Sequence, residues 1–253
     1  MLGYDPASGR TNTNSADELL AYLRESGLTV DWILETHVHA DHLTGALYIK
    51  KKTGGQTAIG HQVTAVQDTF RSIFNIGDLE VDGSQFDHLF VDGESFKVGN
   101  IDAHVLATPG HTPACITYVI GDGAFVGDTL FMPDFGTART DFPGGGAVQL
   151  YESIQNILSL PDGTRLFMCH DYKAPGRDVY AWETTVLEQR NSNIHINKNV
   201  TEQEFVALRE GRDSQLGMPR LLLPAIQINV RAGALPEAED NGIRYLKIPL
   251  DAV

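Results

Sequence analysis

The sequence predicts a layered α/β fold on two observations. Strand and helix signals alternate from end to end, and every cluster of potential metal ligands falls in a loop directly after a strand. Ser15-Ala16-Asp17-Glu18 has the form of a capping box, with Leu19, Leu20 and Leu23 as the apolar stripe of the helix that follows. Residues 30–34 read as a buried strand running into His37-Val38-His39-Ala40-Asp41-His42. A helix over 43–53 is then stopped by Gly54-Gly55, and a second is expected over 62–74.

The middle of the chain is strand-rich. Residues 88–91 and 95–98 flank the turn signal Asp92-Gly93, and residues 115–120 and 124–126 flank Gly121-Asp122-Gly123, so two hairpins are expected. Between them a strand over 101–107 leads into Thr108-Pro109-Gly110-His111. A helix over 151–160 closes at Pro161-Asp162-Gly163, and a strand over 165–168 delivers Cys169-His170-Asp171-Tyr172. From about residue 178 the chain reads as helical again, with Thr201 and Glu204 capping a further helix. The last 35 residues carry Pro219, Pro224, Pro236 and Pro249 and read as an extended strap. Residues 1–190 are expected to form the catalytic domain, and 191–253 a helix and strap packed on it.

Composition narrows the function classes. A formal charge of −14 with no Lys/Arg stripe argues against nucleic acid, a polyanion that such a surface repels. Lys50-Lys51-Lys52, the one basic cluster, suits the last turn of a helix, where cations complement the dipole. No apolar run approaches the roughly 20 residues of a membrane span, no signal peptide opens the chain, and Cys115 and Cys169 make no disulfide framework. A soluble protein of a reducing compartment, the cytoplasm, is expected.

The candidate chemistry is metal chemistry. In extended backbone, residues i and i+2 point the same way, so His37 and His39 can approach one metal side by side while Asp41 and His42 face a neighbouring position. A lone His-x-His is more often structural. Four ligand-type side chains in six residues, followed by strand-end His111, Asp128 and His170, are far more specific for a divalent transition metal. Asp128 also reads as a turn aspartate in Gly127-Asp128-Thr129. Cys115 and Cys169 read as soft ligands or, more in keeping with their positions, as buried strand ends. His61, His88, His104 and His195 lack partner spacing and are expected to be structural or exposed.

Thr36-His37-Val38-His39-Ala40-Asp41-His42, Pro109-Gly110-His111-Thr112, Gly127-Asp128-Thr129-Leu130-Phe131 and His170-Asp171-Tyr172 resemble, in order and spacing, the metallo-β-lactamase superfamily. The resemblance implies a four-layer αββα sandwich, here starting without part of the usual N-terminal strands. Arg139-Thr140-Asp141-Phe142 is similar to the persulfide dioxygenase branch, and residues 220–233 and 241–247 resemble its bacterial members.

That branch implies one Fe(II) per chain on His37, His111 and Asp128, with His39, Asp41, His42 and His170 as a supporting shell or a vestigial second site. Its substrates are glutathione persulfide and O₂, its products sulfite and glutathione, and a homodimer is left open. All seven ligand positions of a dinuclear hydrolase are nonetheless present, so a glyoxalase II-like thioester hydrolase using zinc is the rival. Arg139, Lys173, Arg177 and Arg231 are the cations expected to hold an anionic substrate, and Tyr172 a hydroxyl donor. For Arg139 the plainer reading is a salt bridge to Asp141 or Asp134 that holds its loop.

Overall fold

The computed structural model describes residues 1–251. They divide into two units, residues 1–89 with 217 onward, and residues 90–216. The first opens with an antiparallel pair, β1 (Gly3–Asp5) and β2 (Arg10–Asn12), turned by the Asp5 carboxylate and by Gly9 at φ 66°. α1 (Asn14–Glu25) follows. Its cap is not the expected box at Ser15: Thr13 is the N-cap, and its hydroxyl donates to Asp17 at 2.6 Å. Of the expected stripe, Leu20 is buried but Leu19 is exposed, because adjacent helical residues lie about 100° apart.

β3 (Trp32–Leu34) and β4 (Gln56–Gly60) are parallel, which requires a crossover, supplied by α2 (Ala46–Thr53). Gly54 ends α2 in the left-handed region at φ 81°, and Lys50, Lys51 and Lys52 occupy its last turn as expected. α3 (Val63–Phe74) buries Val63, Val66, Phe70 and Phe74 on one face. β5 (His88–Phe90) completes a sheet of order β3-β4-β5.

The first expected hairpin does not form. β5 does not pair across Asp92-Gly93 with β6 (Ser95–Val98); β6 pairs instead with β7 (Ile101–Ala107). The Asp92-Gly93 turn docks on β7, where Gly93 N–H donates to the Val105 carbonyl and the Asp92 carboxylate accepts from Ala107 N–H. The second hairpin forms as expected, from β8 (Ile116–Ile120) and β9 (Gly123–Phe125).

α4 (Ala147–Leu158) carries the chain to β10 (Arg165–Phe167), parallel to β9. β11 (Glu183–Thr185) then closes a six-stranded sheet of order β11-β10-β9-β8-β7-β6. β7, β9 and β10 run in one direction and β8 in the other, so the chain leaves all three at the same sheet edge. α4 packs Leu150, Ile154 and Ile157 with Leu166, Val126 and Phe205 in this unit's core.

The helix expected from 178 starts later, after a short strand. The Arg165–Glu183 pair and two β-branched threonines favour a strand first, and α5 (Val186–Ser192) starts only after Thr185 caps it. α6 (Glu202–Asp213) carries the expected capping box, Thr201 with Glu204. The tail is not all extended strap, because it contains α7 (Leu222–Asn229). Pro224 is tolerated there because the third helical residue has no intrahelical amide partner to lose. No helix is long and apolar enough to cross a membrane among the described residues.

Candidate metal centre

The ligand-type side chains fall into two groups, one in each unit. In the first, β3 ends at Leu34 and the chain enters Glu35-Thr36-His37. His37 and His39 are buried with ring centroids 4.0 Å apart, and His42 stands 4.4 Å from His39. Donor atoms of His39, Asp41 and His42 lie within 4.8 Å of one another.

Each ring is oriented by a neighbour. His39 Nε2 is 3.3 Å from Glu35, Thr36 Oγ1 is 3.0 Å from His37 Nδ1, and His42 Nδ1 is 3.2 Å from Asp41. Burial would raise the Glu35 pKa, but hydrogen bonds from His39 and Thr44, with the charges of His39 and His42, hold it below the ordinary value.

Asn229, on α7, pins the run from behind. Its amide donates to the carbonyls of His39 and His42, both at 2.8 Å, and accepts from Thr44 N–H at 2.9 Å. Neither Glu35 nor Asn229 was among the expected site residues. Glu35, one turn before His39, had a local signal as a carboxylate beside the cluster. Asn229, 190 residues from His39, had none beyond lying in the tail that resembles a family.

In the second unit, the loops after β7, β9 and β10 supply His111, Asp128 and His170. Asp128 offers one carboxylate oxygen to each imidazole: Oδ2 is 3.7 Å from His111 Nε2, and Oδ1 is 3.4 Å from His170 Nε2. Asp128 sits in a 3-10 turn, Gly127–Thr129, so the turn reading of it holds. His111 Nδ1 lies 2.9 Å from the Arg139 carbonyl, which assigns the proton to Nδ1 and leaves the Nε2 lone pair for a metal. Phe142 meets the same ring edge-on at 5.1 Å.

This approach depends on Gly110, at φ 138°. A Cβ there would lie 2.4 Å from the backbone of Leu150 on α4, and Ser153 of the same helix donates to the Pro109 carbonyl at 2.6 Å.

The expected substrate cations are engaged within the protein. Arg139 holds Asp141 through two donors at 2.5 and 2.6 Å, Arg177 holds Asp134 and Asp171, and Arg231 holds Asp78 at 2.8 Å. Lys173, at φ 57°, places Nζ 4.5 Å over the Tyr180 ring. Tyr172 is 55% exposed and stacks beside His170 at 5.6 Å.

Cys115 is buried and its thiol is pushed up to about 12 by that burial, so it stays protonated. Cys169 is exposed rather than buried, because alternation along the strand turns Leu166 and Met168 inward and Cys169 out. His195 is structural, as expected. It accepts from Thr137 N–H at 3.0 Å, and burial with Arg209 and Arg212 brings its pKa down to about 4.

Both groups are built of imidazole and carboxylate, donor types suited to divalent transition metals. Iron and zinc both suit these donor types.

The metallo-β-lactamase superfamily model matches residues 4–170, more than half of the chain and all seven ligand-type residues. The chain belongs to the metallo-β-lactamase superfamily.

Among superfamily relatives, a probable metallo-hydrolase of Burkholderia pseudomallei is 55% identical over 100% of this chain and 90% of its own length. A β-lactamase hydrolase-like protein of Xylella fastidiosa is 57% identical over 100% of this chain, which spans 58% of that protein's length. Human mitochondrial persulfide dioxygenase ETHE1 is 31% identical over 83% of this chain and 72% of its own. The crystal structure of ETHE1 from Myxococcus xanthus superposes with a TM-score of 0.71 at 30% identity, covering 92% of this chain and 93% of that one. The mixed α/β architecture is thus the metallo-β-lactamase fold.

Proposed function

We propose that this protein is an iron-dependent persulfide dioxygenase. It converts glutathione persulfide, O₂ and water to glutathione and sulfite. His37, His111 and Asp128 hold one Fe(II), and His39, Asp41, His42 and His170 orient that set. Bound iron supplies the redox step, for which zinc has no accessible second oxidation state. The chain's own part is orientation: the Arg139 carbonyl fixes the His111 proton, and Asp128 is held between two imidazoles.

What supports this most directly is the placement of residues 139–142, the stretch that resembles persulfide dioxygenases. Arg139 and Phe142 both contact His111, so the branch-specific segment orients a proposed iron ligand. The likeness to human persulfide dioxygenase and to the Myxococcus structure points the same way.

A second reading, a dinuclear thioester hydrolase, has its own support. A carboxylate facing two imidazoles suits a bridging ligand, His39, Asp41 and His42 cluster as a second donor group, and four relatives at 55–57% identity carry hydrolase names. One preparation assayed for O₂ uptake with glutathione persulfide and for hydrolysis of a glutathione thioester separates the two. Persulfide-dependent O₂ uptake with negligible hydrolysis is expected; the reverse replaces the dioxygenase with the hydrolase.

A further inference from the structure

We propose that Arg177 is a positioning residue for His170, a staple between two strand-end loops rather than a grip on substrate. The proposal rests on the metal-centre part of the reading above.

Residues 171–181, which follow His170, form no helix or strand, so side-chain bonds must fix their path. Arg177 supplies them. Its Nε and Nη2 donate to Asp134 at 2.6 and 2.9 Å, its Nη1 and Nη2 to Asp171 at 2.6 and 2.7 Å, and Nη1 again to the Val179 carbonyl at 2.9 Å. A guanidinium has five N–H donors, and these five contacts use all of them. None is left for a substrate carboxylate.

Asp171 is the other end of the device. Its carboxylate also accepts from the backbone of Lys173 at 3.1 Å and Ala181 at 2.7 Å, and its side chain is only 6% exposed. It is covalently next to His170, whose Nε2 is 3.4 Å from Asp128 Oδ1. Asp134 lies in the loop that continues from Asp128. One planar cation therefore ties the His170 loop to the Asp128 loop and sets the separation of the two groups. A lysine, with its donors on one atom, cannot span both carboxylates in a plane.

The test is a double-mutant cycle on the full chain, read by Co(II) affinity in chelator competition and by the Co(II) visible spectrum. Arg177→Ala is expected to weaken Co(II) roughly 10–100-fold, the usual effect of losing an orienting partner. It should reproduce the spectrum of His170→Ala. The double variant should bind no more weakly than His170→Ala alone, because both changes remove the same interaction. Arg177→Lys should not restore binding.

Asp134→Asn cuts one end of the staple and leaves Arg177 on Asp171; it should give a smaller loss in the same direction, and it carries the test if Arg177→Ala does not fold. Additive losses, or wild-type Co(II) binding with a raised KM, would overturn the proposal and return Arg177 to a general structural or substrate-binding role. His111→Ala separates the two claims. If it retains wild-type Co(II) affinity, the metal-centre reading itself fails. If it loses the metal while Arg177→Ala does not, the staple alone fails.

Discussion

Asn229 makes three hydrogen bonds to the backbone between His39 and Thr44, and its side chain is buried. Removing it strands two carbonyls and an amide, each unsatisfied group costing about 1–3 kcal/mol before water enters. Asn229→Ala is therefore expected to lower unfolding free energy by at least about 1 kcal/mol in urea titrations. Metal affinity should fall too, by the roughly 10–100-fold typical of outer-shell losses. Unchanged metal affinity would mean that α7 supports the fold but not the ligand run.

His195 gives a pH prediction at the same scale. Its pKa falls from an ordinary 6.5 to about 4 on folding, so between those values the unfolded chain binds the extra proton. The neutral ring's contribution is present above pH 6.5 and is lost as pH falls towards 4, a change of about 3 kcal/mol. Wild type should lose more stability than His195→Gln between pH 7 and 4.5 in urea titrations; parallel losses would show that His195 is not buried neutral.

At the scale of elements, Gly110 is where α4 and the His111 loop meet. Gly110→Ala combines an unfavourable φ of 138° with a Cβ 2.4 Å from the α4 backbone, so helix or loop must shift. A loss of more than about 1 kcal/mol in stability is expected, with metal binding weakened more than by an exposed control such as Gly163→Ala. Elements with strong local signals were legible in the sequence. β7 and the capping box of α6 fall where turn chemistry and spacing put them. What failed had non-local causes: β5 and β6 look like a hairpin around Asp92-Gly93, but their partners lie elsewhere in the chain. α7 was hidden because Pro224 reads as a breaker unless its place in the first turn is known.

The site divides along the same line. Its seven ligand-type residues and the Arg139–Asp141 pair could be read from motif and spacing, whereas the pairing of Arg177 and Arg231 with carboxylates distant in sequence depends on the folded loops.

For the whole molecule, a charge of −14 would oppose the proposed anionic substrate, glutathione persulfide, and the guanidinium groups expected to hold it are paired with carboxylates. Repulsion should slow encounter, and salt should screen it, with a Debye length near 8 Å at physiological ionic strength. KM for glutathione persulfide is expected to fall as salt rises from low to physiological levels; a rise would show that unpaired cations draw the substrate in. Metal content per chain in anaerobically purified, active protein decides whether a single redox-active iron does the chemistry. About one iron per chain is expected, with O₂ uptake proportional to iron content. Two zinc ions per chain in active protein that consumes no O₂ would contradict it.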